Sequence, residues 1–198
     1  MSHEPAMNPD IPNEYRRSSN ARQVFLFLLV LAVIVAAVPW LAKWWSGRAV
    51  FLPGRNAPPI VAVGWLNGEA PTKESLSGKV VFLYVWATWC GPCRRTTPQL
   101  VELHKRYAER GVVFIGLTSE EQSSLQDVRD HVQAKNVTWL IGWGALETLQ
   151  DLGTEFLPSA YVIGADGKLL WDSQHAGTPE EALEQALALA AAQNSNKG

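Results

Sequence analysis

Val80-Val81-Phe82-Leu83-Tyr84-Val85-Trp86-Ala87-Thr88-Trp89-Cys90-Gly91-Pro92-Cys93 contains the only two cysteines in 198 residues. The apolar run Val80 to Trp86 has the continuous character of a buried central strand. The segment from Arg94 to Glu109 reads as a helix. A strand that turns through Cys-x-x-Cys into a helix places the Cys90 sulfur at the helix N-terminus. There the unpaired N–H groups and the positive end of the macrodipole stabilise a thiolate. Cys93 lies one turn along, close enough to close a small disulfide. That arrangement suits thiol–disulfide exchange.

Other uses of a cysteine pair fit less well. A structural zinc site needs four ligands, usually two such pairs or one pair plus two closely spaced histidines. This chain has one pair, and His3, His104, His131 and His175 are scattered, so no metal is expected. A purely structural disulfide would close too short a loop to gain much entropy. Two cysteines are too few for a disulfide scaffold. A net charge of −2 offers no basic surplus, so no nucleic-acid partner is expected. The length allows one domain of ordinary size with terminal extensions.

Residues 24–42 form 19 consecutive uncharged positions dominated by Val, Leu, Ile, Phe and Ala. As a helix they span about 28 Å, close to the hydrocarbon thickness of a bilayer. Trp40, Trp44 and Trp45 follow as an interfacial belt, with Lys43 and Arg48 beside them. The run exceeds a usual signal-peptide core, and Ala36-Ala37 and Ala42 make weak cleavage sites, which favours a retained anchor. Basic residues flank both sides nearly equally (Arg16, Arg17 and Arg22 against Lys43, Arg48 and Arg55). The short polar leader is the segment more easily left in the cytoplasm, with the larger domain exported to where disulfides form.

The expected organisation is a polar leader (1–22), an anchor (23–45), a linker (46–56), a folded domain (57–193) and a tail (194–198). Within the domain, strands are expected at Ile60–Trp65, Val80–Trp86, Val112–Leu117, Val137–Ile141, Ser159–Ile163 and Lys168–Trp171. Helices follow the cysteines, run through Leu125, Val128 and Val132, and cover Ala145–Leu152 with Leu146, Leu149 and Leu152 inward. Pro98 should kink the first of these. Ala165-Asp166-Gly167 between two apolar runs signals a hairpin. Thr178 caps a last helix, Pro179–Ala192, with Pro179 at its first position. Alternating strands and helices give an α/β layer fold.

This order resembles the thioredoxin fold, and more narrowly the membrane-anchored TlpA/ResA-type reductases. The resemblance rests on Gly78-Lys79-Val80-Val81, Trp86-Ala87-Thr88-Trp89-Cys90-Gly91-Pro92-Cys93-Arg94, Pro98, Leu157-Pro158 before Tyr161-Val162-Ile163, and Asp166-Gly167-Lys168. It spans about residues 57–192. It implies a central mixed sheet flanked by helices, preceded by one N-terminal transmembrane helix. It also implies a cis-proline at Pro158, presenting the Leu157 backbone to a bound peptide. Trp89, Gly91, Pro92, Leu157 and Pro158 would form the substrate-binding rim, with Trp86 and Trp89 shielding the site. Cys90 would be the nucleophile and Cys93 the resolving thiol, with a redox-active disulfide and no other cofactor.

The sequence departs from soluble thioredoxins where they carry a buried Asp six residues before the first cysteine. Tyr84 stands there, and a buried tyrosine is a poor base near neutral pH. Water, Glu120, Glu121 or the substrate itself remains as proton acceptor for Cys93. The resulting expectation is a single-pass protein of the bacterial inner membrane with its domain in the periplasm or extracytoplasmic space. It would reduce disulfides in exported proteins, among them apocytochrome c in cytochrome c biogenesis or copper-site assembly proteins, and be recharged by a membrane electron donor. A disulfide oxidase or isomerase of the same fold is the nearest alternative, and a copper-binding assembly factor is one of a different class.

Overall fold

The computed structural model describes residues 22–31, 33 and 54–195. Residues 22–31 and 33 are helical and belong to a unit separate from Ala49–Gly198. Their large apolar side chains are 48–72% exposed. Most of the expected anchor, with Trp40, Trp44 and Trp45, lies outside the described residues, as do residues 1–21 of the leader and the start of the linker. Among the described residues no helix is long and apolar enough to cross a membrane.

The second unit is built on a six-stranded sheet. Its strands are β1 (Gly64–Leu66), β2 (Val81–Val85), β3 (Val113–Thr118), β4 (Leu140–Trp143), β5 (Ser159–Ile163) and β6 (Leu169–Asp172). They lie in the order β1-β4-β3-β2-β5-β6. β2, β3 and β4 are parallel; β1 and β5 run antiparallel to β4 and β2, and β6 antiparallel to β5. The helices are α1 (Lys73–Leu76), α2 (Gly91–Ala108), α3 (Leu125–Ala134), α4 (Leu146–Leu152) and α5 (Pro179–Ser195). This is the mixed, helix-flanked sheet that the resemblance implies.

β2 is buried at all five positions because both faces of the sheet are covered. Phe82, Tyr84, Phe114 and Val162 join the α2, α3 and α5 core through Leu100, Leu103, Val128, Val132 and Leu183. The alternate residues Val81, Leu83, Val85, Ile115 and Leu117 pack with Ala145, Leu149 and Leu152 of the α4 side. The period of two along each strand divides the residues between these two cores. The hairpin forms as expected: the Gly164 N–H donates to Lys168 O at 2.8 Å, and Gly167 adopts φ +77° in the turn. Thr178 and Glu181 cap the last helix reciprocally, Glu181 N–H to Thr178 Oγ1 at 3.2 Å and Thr178 N–H to Glu181 Oε2 at 2.8 Å.

Two strands begin later than expected, each because a polar side chain takes backbone groups that a ladder would have used. The Asn67 amide donates to the Val137 and Trp139 carbonyls, 2.9 Å each, so β4 begins at Leu140 rather than Val137. Fully buried Thr148 accepts the Val61 N–H at 2.8 Å and donates toward Pro59 O and Val61 O, so β1 begins at Gly64 rather than Ile60. α4 therefore turns Thr148, Leu149 and Leu152 inward, and Leu146 is 54% exposed. α1, which no apolar period announces, is held by a capping box between Thr72 and Ser75. α2 is a single helix from Gly91 to Ala108 with Pro98 inside it.

Ile115 is fully buried in a central strand, so Ile115→Ala should destabilise the protein by about 2–5 kcal/mol. Leu146→Ala should change stability by about 0.5 kcal/mol or less. Urea unfolding of the full chain distinguishes these outcomes, and equal effects would contradict the packing described.

Candidate active site

The site forms where three strands end together. Val85, the last residue of β2, pairs with Leu117 of β3 and with Ser159, the first residue of β5. The Trp86 N–H donates to Leu117 O at 3.0 Å, carrying the chain one residue further along β3. The segment entering Cys90 and the Leu157-Pro158 segment thus leave adjacent strands at the same end of the sheet.

Cys90 and Cys93 form a disulfide with Cα atoms 5.3 Å apart. α2 begins at Gly91, three residues before the sequence suggested, with Cys90 itself as N-cap. The Cys93 N–H donates to Cys90 Sγ at 3.2 Å, and the Arg94 N–H to Cys90 O at 3.2 Å. Pro92 sits in the first turn, where its missing N–H costs nothing. That turn contains no acidic residue, and Arg94 and Arg95 follow directly. The partial positive charge of the helix end therefore meets the Cys90 sulfur with no carboxylate in the first turn to offset it, which favours thiolate. Cys93 is fully buried and Cys90 is 4% exposed. A Cβ at Gly91 would meet nothing closer than Arg95 Nη1 at 3.6 Å, so no steric demand fixes glycine there.

The Leu157-Pro158 bond is cis. Leu157 packs against both cores, and the Ser159 hydroxyl donates to Phe156 O at 2.7 Å. Trp86 is buried, whereas Trp89 is 70% exposed. Trp86 alone therefore covers the site from within, and Trp89 stands in solvent at its rim. Phe156, at 64% exposure, adds a second exposed aromatic beside the cis-proline; the sequence reading had no signal for it.

The two carboxylates left open by the sequence have separate surroundings. Glu120 is half-buried and accepts the Thr88 N–H at 2.9 Å, the Thr118 hydroxyl at 2.9 Å and the Thr88 hydroxyl. It anchors the turn that leads into Cys90, while the Arg94 guanidinium donates to Thr88 O at 3.2 Å. Glu121 is exposed and lines an apolar cavity with Val63, Trp143 and Leu146, about 300 Å³ in volume. Tyr84 directs its hydroxyl to Cys93 O at 3.4 Å, and burial pushes its pKa well above the ordinary phenol value. The Thr97 hydroxyl also donates to Cys93 O, at 2.9 Å, and lies 3.4 Å from His131 Nε2. Neither Thr97 nor His131 was legible as a site residue, because 34 residues separate them.

His175 pairs through Nδ1 with Asp172 Oδ1 at 2.7 Å at the end of β6. Among the described residues, no group of three or more His, Cys, Asp or Glu side chains is placed to hold a metal ion.

Comparison with known proteins agrees with this geometry. The Redoxin family pattern matches residues 53–187. The thioredoxin-like protein YneN of Bacillus subtilis is 30% identical over 81% of this chain and 95% of its own. The thiol-disulfide oxidoreductase ResA of Bacillus thuringiensis subsp. konkukian is 32% identical over 68% of this chain and 76% of its own. Among solved structures, a thiol:disulfide interchange protein of the thioredoxin family from Chlorobium tepidum superposes with a TM-score of 0.57 at 25% identity. It covers 69% of this chain and 99% of that one.

Glu120→Ala removes the acceptor of three donors and should destabilise the oxidised protein by about 1–3 kcal/mol. Glu121→Ala should change it by about 0.5 kcal/mol or less. Urea unfolding of both variants is the check, and indistinguishable midpoints would contradict the anchoring role of Glu120.

Proposed function

This chain belongs to the Redoxin family, as a thioredoxin-fold thiol–disulfide oxidoreductase of TlpA/ResA type, and from that membership we propose that it is a membrane-tethered, extracytoplasmic reductase of protein disulfides. The observation that carries the reading is Cys90 at the N-cap of α2, its sulfur receiving the Cys93 N–H, beside a cis Leu157-Pro158 bond. The apolar, charge-free stretch 24–42 supports the tether. The Gly91-Pro92 spacer, similar to that of reducing thioredoxins, supports the direction.

In the proposed reaction, the Cys90 thiolate attacks one sulfur of a substrate disulfide. A Cys90–substrate bond forms, the substrate S–S bond breaks, and the departing substrate thiolate takes a proton from solvent. The Cys93 thiol then gives up its proton and attacks Cys90 Sγ. The Cys90–Cys93 bond re-forms and the second substrate sulfur leaves as thiolate. Two electrons pass from the dithiol to the substrate. Trp89, Gly91, Pro92, Leu157 and Pro158 form the rim on which the substrate strand lies during these steps. No cofactor beyond the dithiol is required. Electrons return from a membrane donor, since one transmembrane segment cannot carry a dithiol across the bilayer. Exported proteins with disulfides are the substrate class; apocytochrome c and copper-site assembly proteins fit it.

Cys93→Ser should trap a mixed disulfide with substrate, seen as a reducible adduct on a gel, and Cys90→Ser should trap none. The reduction potential of the full chain, read by thiol trapping in graded dithiol buffers, should lie near the about −270 mV of a thioredoxin. A value near the about −120 mV of a strong oxidant would replace the reductase reading with a disulfide-donating one. The full chain should also resist alkaline extraction from membranes; release by alkali would remove the tether.

A further inference from the structure

Cys93 O is an acceptor shared by two buried hydroxyls, from Tyr84 at 3.4 Å and Thr97 at 2.9 Å. Thr97 has one proton, and the shorter contact assigns it to Cys93 O. The remaining Thr97 lone pair faces His131 Nε2 at 3.4 Å, so Nε2 carries a proton and donates. The imidazole is fixed from its other side by Trp86, with ring centroids 4.6 Å apart and planes inclined by 32°. Trp86 directly follows the strand that leads to the dithiol, and Thr97 lies one helical turn beyond Cys93. His131 therefore reaches the base of the redox helix by two routes, one polar and one through packing. Nothing in the reaction described above uses it.

We propose that His131 is a positioning residue that couples proton uptake to reduction of the Cys90–Cys93 disulfide, acting through Thr97 on α2 and through Trp86. This inference rests on the dithiol reading and names a residue that regulates it. Two electrons from a dithiol reductant break the Cys90–Cys93 bond. One proton goes to Cys93 Sγ and a second to His131 Nδ1, the nitrogen left bare in the oxidised form. The product is a Cys90 thiolate with a nearby imidazolium, and charge is balanced without a buried carboxylate at position 84.

The surroundings of His131 suit a proton that arrives only on reduction. Arg94 faces it from α2, Lys135 from its own helix, and Glu120 from the loop after β3. Burial comes first, followed by Lys135 and then Arg94, in holding the imidazole below its ordinary range; Glu120 opposes them. In the oxidised protein these surroundings thus favour the neutral imidazole. A thiolate formed on the neighbouring helix favours the cation and raises that midpoint. Reciprocally, the imidazolium favours the thiolate, so the pair titrates as a coupled unit.

The test is an NMR titration of the histidine Cε1–H signals of the full chain in a mild detergent, once oxidised and once reduced by dithiothreitol. His131 should bind its proton about threefold or more tightly in the reduced form, an upward shift of about half a pH unit. Equal midpoints in the two forms overturn the proposal. His131→Phe keeps a ring against Trp86 and removes the proton site. Its Cys90 alkylation rate by iodoacetamide should fall about threefold at pH 6 and match wild type at pH 9, where the thiolate forms unaided. A loss equal at all pH values marks a structural role only and overturns the proposal. Should His131→Phe fail to fold, His131→Gln carries the same profile and the wild-type titration needs no variant. A reduction-linked His131 shift in a protein that does not reduce insulin sinks the reductase direction and leaves His131 standing. Equal midpoints in a protein that does reduce insulin sink the His131 proposal alone.

Discussion

A backbone N–H at the start of an α-helix has no partner within the helix, and here the Cys93 N–H finds Cys90 Sγ at 3.2 Å. That contact requires Cys90 to sit outside the helix with extended backbone while Cys93 sits inside it, which fixes where α2 begins. It also requires the strand before Cys90 to stop at a definite residue. β2 meets this demand because it is clamped on both sides, by β3 in parallel and β5 in antiparallel register. Sliding β2 by one residue between them would exchange Phe82 and Tyr84 with Leu83 and Val85 between the two cores. The position of one sulfur is therefore secured by the most deeply buried part of the sheet.

Around that junction the charges are arranged with little compensation from acids. Glu120 is the nearest carboxylate in the loop beside Thr88, and its oxygens are occupied by Thr88 and Thr118 donors. Its negative charge stabilises a turn rather than opposing a thiolate. The Arg94 guanidinium closes the other side of the same turn through Thr88 O. Tyr84 contributes a hydroxyl and no charge, its pKa raised by burial. The interior side of the dithiol is thus polar and hydrogen-bonded, yet holds no fixed anion. In such a setting an electron pair added to the sulfurs is compensated by protons taken from elsewhere or by the helix end.

The parts of this arrangement that follow from local rules were legible in the sequence. Cys90-Gly91-Pro92-Cys93 after an apolar run, Asp166-Gly167 between strands, and Thr178-Pro179 before an alanine-rich helix each state their structure within a few residues. What escaped depends on side chains that cross the fold. Asn67 takes the Val137 and Trp139 carbonyls, and Thr148 takes the Val61 N–H, so β4 and β1 are shorter than their apolar patterns suggest. Leu146 has the spacing of a core residue and is displaced outward by Thr148. Glu120 was legible as a carboxylate near the site, but not as the anchor of Thr88, because that role needs the end of β3 beside the end of β2. Thr97 and His131 were invisible for the same reason.

The burial of the two sulfurs is unequal, and this decides the order of the proposed chemistry. Cys93 is fully enclosed, whereas Cys90 retains 4% exposure at the rim where Trp89 and Phe156 stand in solvent. A protein disulfide can approach Cys90 along that rim and has no path to Cys93. The first attack is then intermolecular and belongs to Cys90, while the second is confined within the chain. Burial that denies Cys93 to substrate also denies it to water, so its proton must leave through the protein or with the departing sulfur. The lack of a carboxylate at position 84 bears on the same step. The enclosure that gives Cys93 its selectivity is what creates the need for a proton route.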